Sequence, residues 1–202
     1  MTAHRPGRRN RAALGLLATL VALACGACQN LPKAPGRHVE ELYHGQLETV
    51  QPMDVVVAPI IDNSVDSNSV DGGVPSLELR QAFQRNLIRR RYSALALPYT
   101  DRRVVNAAYQ PGALFEDAIL QVTVRKWDLS KWKSHNQVSV NVEAWMLAAE
   151  DETELWGGRL VRTIDLSSVM EGRATEKGAL TEAAETIAAE LLEVMPARTP
   201  QP

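Results

Sequence analysis

Hydrophobic and polar positions in the first half of the chain follow a strand–helix–strand–helix order. The run "MDVVVAP" (53–59) is typical of a buried strand and ends at a proline. The segment "SLELRQAFQRNLIRRRYS" (76–93) places Leu79, Phe83 and Leu87 four residues apart, as on one face of a helix. "ALALP" (94–98) predicts a second short strand. "YTDRRVVNAAYQPG" (99–112) predicts a short helix that ends at its proline and glycine.

The second half predicts three longer strands and a final helix. The strands are expected at 117–129, 136–147 and 154–166, with the acidic segment "AEDETE" (149–154) as the turn between the last two. In the middle strand, valines at 138, 140 and 142 alternate with polar residues, which predicts one buried and one wet face. The segment 174–196 carries an apolar stripe of a packed helix, at Leu180, Ala184, Ile187, Leu191 and Val194.

This order of elements predicts an α/β fold of the two-layer sandwich type. The sheet is expected to be mixed, with about five strands and an antiparallel C-terminal meander, and two to three helices are expected to cover it. The predicted domain spans residues 53–196, and residues 197–202 are a tail.

The amino terminus has the pattern of an export signal. Four arginines and no acid occupy residues 1–11, and "AALGLLATLVALA" (12–24) is an uncharged run too short to cross a bilayer as a helix. Cys25 follows Ala22-Leu23-Ala24, which resembles the lipobox of bacterial lipoproteins, where the cysteine is acylated and becomes the mature amino terminus. Cys28 is the alternative. We therefore expect a lipoprotein signal peptide at 1–24 and a lipidated amino terminus with a tether at 25–52.

Composition limits the partners of the mature chain. Removing the four arginines of the signal changes the formal charge from −2 to −6, which argues against nucleic acid as a partner. The lipid is then expected to provide the membrane attachment. Because the only two cysteines lie at 25 and 28, the domain has neither a disulfide framework nor thiol chemistry.

A doubled tetrapeptide, "NSVDSNSVD" (63–71), follows the first strand. Its polar residues, together with the preceding aspartate, form a candidate contact or ligand loop: Asp62, Asn63, Asp66, Asn68 and Asp71. The phosphate-loop pattern fails because no Gly-Lys-Ser/Thr follows, and the calcium-loop pattern fails at its fifth and twelfth positions. An irregular calcium site stays an alternative, but a turn-rich surface loop is the favoured interpretation. We expect no resident metal and no cofactor.

No catalytic set emerges from the remaining polar residues. The histidines lie in the signal, in the tether or, as His135, at a predicted turn, and nothing indicates a desolvated acid. The chain is therefore expected not to be an enzyme. Among the four tryptophans, Trp132 lies in the polar turn "SKWKSHN" and is predicted to be exposed as a partner contact.

Several segments resemble a known group of proteins. "VVVAPIIDNSVD" (55–66), "DAILQVTVRKW" (117–127), "VNVEAWML" (140–147) and "LWGGRLV" (155–161) are similar to a family of small bacterial lipoproteins of unassigned activity. The fold of that family is similar to the amino-terminal domain of TolB and to the periplasmic domain of curli-secretion (CsgG-like) lipoproteins. Members of the wider group act as envelope assembly or accessory factors, and some form rings. The doubled NSVD departs from the single copy expected in that family.

These observations predict a lipid-anchored periplasmic accessory or assembly protein of the cell envelope. It would act through contacts with other envelope proteins or with itself. Since no aspartate follows either cysteine, the resemblance to sorted lipoproteins favours the periplasmic face of the outer membrane. The alternative is a lipoprotein that binds a small ligand or a divalent cation through the loop at 62–73.

Overall fold

A seven-stranded mixed sheet organises the protein. The computed structural model describes residues 38–64, 73–105, 108–171 and 175–199. The strands are β1 (Val39–His44), β2 (Asp54–Val57), β3 (Ile61–Asp62), β4 (Ser93–Ala94), β5 (Val104–Val105), β6 (Ala108–Tyr109), β7 (Ala118–Asp128), β8 (Gln137–Ala148) and β9 (Glu154–Asp165). The helices are α1 (Leu47–Val50), α2 (Ser76–Arg89), α3 (Leu97–Thr100), α4 (Trp132–His135), α5 (Ser167–Glu171) and α6 (Glu176–Glu193), with a 3₁₀ turn at Asp101–Arg103.

The sheet has the order β1-β9-β8-β7-β2-β4, and β3 also pairs with β7. Strands β7, β8 and β9 form the predicted antiparallel meander, while β2, β3 and β4 run parallel to their neighbours. Strands β5 and β6 form a separate small hairpin. The parallel part follows from the sequence because α2 returns the chain from β3 to β4.

Helices α2 and α6 cover one face of this sheet. Leu79, Phe83 and Leu87 of α2 are fully buried, as their spacing predicted. The valines of β8 and the indole of Trp156 meet the helices from the sheet side and are also buried. The Thr175 hydroxyl caps α6 by accepting a hydrogen bond from the Gly178 amide at 3.2 Å. The two-layer α/β sandwich predicted from the sequence is confirmed, with seven strands in the sheet instead of about five.

The domain begins earlier than predicted. Residues 39–50, assigned to the tether from the sequence, form β1 and α1; β1 pairs with β9, and Leu47 of α1 is only 2% exposed. The sequence does not predict this strand, because β1 lies at the edge of the sheet and has no alternating apolar pattern. Only its residues Val39 and Leu42 are half-buried.

The described part of the predicted tail is also attached to the domain. The Arg198 amide donates to the Arg90 carbonyl at 3.1 Å. The Tyr92 hydroxyl donates to the Pro196 carbonyl at 2.8 Å. The carboxyl end of α6 is thereby joined to the end of α2.

The prediction of one helix over residues 99–112 is wrong. The chain instead forms α3, the 3₁₀ turn and the β5–β6 hairpin, and the strand predicted at 94–98 is reduced to Ser93–Ala94. A tertiary contact explains the difference: Arg80 of α2 donates to Asp101 at 2.6 Å and to the Val57 carbonyl at 3.0 Å. Arg80 therefore fixes the 3₁₀ turn beside β2, which local propensity alone does not predict.

Candidate functional site

The open face is the side of the sheet that faces away from α2 and α6. Its central groove has a volume of about 320 Å³ and is lined mainly by polar side chains of β7 and β8, including Gln121, Thr123, Arg125, Glu143 and Trp145. Glu152 and Glu154 lie at one end of this groove. The polar positions of the alternating strands predicted a wet face, and the groove lies on that face.

A buried carboxylate joins three strands in this groove. Glu143 of β8 is 7% exposed and lies between Arg125 of β7 and Arg159 of β9. The Arg125 guanidinium donates to Glu143 Oε2 at 3.2 and 3.1 Å, and the Arg159 guanidinium donates to Oε1 at 2.9 and 2.7 Å. Each carboxylate oxygen therefore receives two charge-assisted hydrogen bonds. Arg159 also lies 4.0 Å from Glu40 of β1.

The charge of Glu143 is set by two opposing effects. Burial disfavours the charged carboxylate, but the hydrogen bonds from Arg159 and Arg125 outweigh it, and the pKa of Glu143 is lowered. Because the folded-state pKa lies below the unfolded value, the stabilisation is present above the unfolded pKa and is lost as the pH falls through the folded pKa. The cluster is thus a structural link across β7, β8 and β9 at neutral pH.

We expect Glu143→Gln to remove this acid-sensitive part of the stability. The variant should lose about 1.5–2 kcal/mol at pH 7, the low end for hydrogen bonds to a charged group, because both arginine side chains are partly exposed. The loss should shrink as the pH falls below about 4.5, the ordinary pKa of this carboxyl group, since protonation weakens the wild-type cluster in the same way. Urea unfolding at pH 7, 5, 4 and 3 measures this difference. Parallel stability curves for the two proteins over that range would contradict the prediction.

A smaller cleft adjoins the groove, where the β5–β6 hairpin lies over the sheet. This cleft, called the Tyr109 cleft below, has a volume of about 180 Å³, and its apolar walls include Pro59, Ile61, Ile119 and Leu147. Tyr109 packs on a small apolar cluster that is separate from the main core and contains Ala58, Ile119 and Ala149. Burial and then the neighbouring Glu116 carboxylate raise the pKa of Tyr109.

A tight turn, Pro111–Glu116, leads from this cleft into β7. The Glu116 carboxylate is 5% exposed and accepts hydrogen bonds from the Gly112 amide at 2.7 Å and the Leu114 amide at 2.9 Å. Phe115 has a φ of 58° and is 95% exposed. The buried carboxylate therefore holds a turn that presents one large apolar side chain to solvent.

The loop predicted as a ligand site is described only at its start. Asp62 accepts hydrogen bonds from the Ser64 amide at 2.9 Å and from the Ser64 hydroxyl at 2.6 Å, and the Asn63 amide donates to the Val124 carbonyl at 2.9 Å. These contacts are those of a turn that follows a strand. Asp66, Asn68 and Asp71 lie outside the described residues, as do Cys25 and Cys28.

Trp132 of α4 is less exposed than predicted, and its role as a partner contact stays a prediction. Its side chain is half-buried and packs against the main core. The His135 ring is exposed, and its Nδ1 atom lies 2.7 Å from the Ser134 hydroxyl oxygen.

Within residues 38–64, 73–105, 108–171 and 175–199, no group of three His, Cys, Asp or Glu side chains is arranged to hold a metal ion. None of the described helices has the length and apolar character needed to cross a membrane.

Neither the Glu143 cluster nor the exposure of Phe115 was predicted from the sequence. The predicted β8–β9 hairpin contained a signal for the first, since a turn centred near 151 places residue 143 opposite residue 159. The position of Arg125 carried no such signal, because the register of β7 and β8 shifts between Val124 and Lys126. The exposure of Phe115 depends on the buried contacts of the next residue and has no local signature.

The architecture places the chain in a class of two-layer α/β proteins with a mixed sheet and one covered face. Among solved structures, it is similar to the PelC dodecamer from Paraburkholderia phytofirmans, with 12% identity, a TM-score of 0.50, and coverage of 81% of this chain and 98% of that one. It also matches lipoprotein GNA1162 from Neisseria meningitidis with 18% identity, a TM-score of 0.44, and coverage of 71% and 99%. At these identities the likeness concerns the fold alone. No family model matches the sequence, and no curated protein matches it.

Proposed function

We propose that this protein is a lipid-anchored component of the bacterial cell envelope that acts through protein contacts, including contacts with copies of itself. The observation that carries the proposal is the amino-terminal sequence, in which a basic segment and a short apolar run precede Cys25. Acylation of Cys25, or of Cys28, holds the domain at a membrane. The absence of aspartate after either cysteine favours the periplasmic face of the outer membrane.

Two features support a binding role and not a catalytic one. The buried acids Glu143 and Glu116 each accept hydrogen bonds from groups of the domain itself, which gives one a role in joining strands and the other a role in holding a turn. PelC, which has a similar fold, forms a dodecamer, and this supports self-association as the first contact to test. The TolB-like and CsgG-like resemblance of the sequence implies the same kind of accessory role.

The anchor is tested by replacing each cysteine in turn. We expect Cys25→Ser to move the protein from the membrane to the soluble fraction and to abolish palmitate labelling, because the acylated thiol is lost. Cys28→Ser is the matched control and should leave both unchanged. The reverse result would assign the anchor to Cys28. Wild-type protein that is soluble and unlabelled would contradict the anchor.

Self-association is tested by the native mass of the wild-type protein extracted in mild detergent. A complex of several copies supports the proposal, and a complex with another envelope protein supports contact with a different partner. A monomer at every protein concentration tested would count against self-association.

A further inference from the structure

The turn that carries Phe115 contains a strained residue whose side chain is 95% exposed. A positive φ costs a bulky residue about 1–3 kcal/mol and persists only where the surroundings impose it. Here the Glu116 carboxylate imposes it through the Gly112 and Leu114 amides. The domain therefore maintains a strained backbone whose result is a benzyl side chain that projects into solvent.

The Tyr109 cleft has the size and lining that such a side chain needs. Its volume of about 180 Å³ exceeds the roughly 150 Å³ of an apolar protein cavity known to take a benzene ring. Pro59, Ile119 and Leu147 supply apolar walls, and Pro111 belongs to both the cleft and the turn. The Phe115 turn and the Tyr109 cleft therefore lie close together on one surface of the protein.

The charges near these two features are of opposite sign. Arg102 and Arg103 of the 3₁₀ turn are exposed, and neither forms an ion pair with a described residue. Arg103 is close enough to Tyr109 to influence its hydroxyl electrostatically. On the other side, Glu152 lines the cleft, and Glu150 precedes it in the exposed β8–β9 turn. In a two-fold contact between copies, the basic side of this surface in one copy would face the acidic side in the other.

We propose that the Phe115 turn and the Tyr109 cleft form a contact surface between copies of this chain. Phe115 of one copy enters the cleft of a second copy, and Arg102 and Arg103 of one face the acidic β8–β9 turn of the other. This inference rests on the self-association part of the proposed function and assigns it to particular residues. An anionic membrane is a poorer occupant, because it would attract Arg102 and Arg103 but repel the acidic turn, whereas a second copy offers a partner for both charges.

The partner of Phe115 is identified by photo-crosslinking in the full-length, lipidated protein. p-Benzoyl-phenylalanine placed at position 115 keeps an aromatic side chain there. Irradiation of membranes is expected to give a product of twice the subunit mass, with the crosslink mapped to the walls of the cleft. The same probe at Ile88, which is 56% exposed on α2, serves as the control and should give no such product. A lipid adduct, a different protein or no adduct at position 115 would overturn the proposal.

The energetics are tested by substitution, with subunit mass in detergent as the measurement. Phe115→Ser should weaken association about 30-fold or more, the loss expected for a central interface residue. Ile88→Ser is the control and should have no effect. Because both side chains are exposed, both variants should fold, and unchanged thermal unfolding confirms that. Equal association of wild type and Phe115→Ser would overturn the proposal.

Charge reversal tests the arrangement of the two copies. Arg102→Glu with Arg103→Glu should weaken association, and so should Glu150→Arg with Glu152→Arg. All four substitutions in one chain should restore it, since the complementary pairs are rebuilt with reversed signs. If the wild type associates but these variants behave like it, the assigned surface is wrong and the proposed function stands. If the wild type is a monomer, self-association itself fails.

Discussion

Replacing Gly158 with alanine is expected to lower the free energy of unfolding by about 2–3 kcal/mol, the cost of overpacking a filled core. A Cβ at this position would lie 2.8 Å from the Trp156 indole and 3.5 Å from a Leu191 methyl group. Trp156 is fully buried beneath the helix layer, so its ring has no space into which to move. Urea unfolding followed by circular dichroism measures the change.

The neighbouring glycine provides a matched control. A Cβ at Gly157 would meet the Trp145 ring at 2.4 Å, but Trp145 lies half-buried on the open face and can swing outward. Gly157→Ala is therefore expected to cost about 1 kcal/mol or less. In a Trp156→Leu background, Gly158→Ala should lose most of its effect, because the atoms it meets are gone. An unchanged cost in that background would contradict the explanation.

The second large effect is expected for Arg80→Met, which should destabilise the domain by about 2–3 kcal/mol. The Arg80 side chain is buried, and its guanidinium joins α2 to the Val57 carbonyl and to the Thr100 hydroxyl, at 3.0 and 3.3 Å. Methionine fills similar space but leaves those oxygens without their donor. The salt bridge to Asp101 contributes less, since Asp101 is about half exposed.

Arg85→Met is the control for this prediction. Arg85 lies on the same helix and pairs with Glu185, but its side chain is 42% exposed, so its loss should cost about 1 kcal/mol or less. Thermal unfolding of both variants compares them directly. Equal losses would show that burial of Arg80 is not the source of its effect. Arg80→Met should also weaken association between copies, because it releases the turn that carries Arg102 and Arg103.

The sequence predicted those elements whose pattern is local and repeated. The alternation of β8 and the four-residue spacing of Leu79, Phe83 and Leu87 each reflect burial on one face, which is visible in a short window. Edge strand β1 lacked such a pattern because one side of it faces solvent. The segment at 99–112 was assigned wrongly because a buried arginine from α2, not its own propensity, decides its path.

The residues of the candidate surfaces were harder to predict from the sequence than the fold was. Trp132 lies in a polar stretch, yet its side chain is half-buried and packs against the core, so the polar surroundings predicted more exposure than the structure shows. Phe115 lies in an apolar stretch, yet it is exposed. The hydrogen bonds that the Glu116 carboxylate accepts from the turn hold the backbone in a conformation that points Phe115 to solvent. In both cases a neighbour's contacts, and not the residue's own type, decide which side faces solvent.

The position of β1 at the edge of the sheet has a mechanical consequence. A chain held by residues before His38 passes any pulling force to β1 first, starting where the His38 carbonyl accepts from the Val161 amide and Val39 pairs with Leu160. Where the force acts across the strand, the hydrogen bonds of β1 break one after another, as in unzipping, and not all together. Release of residues 39–50 would add about 40 Å of extended chain. The force would reach β9 through these hydrogen bonds before it reached the helix layer.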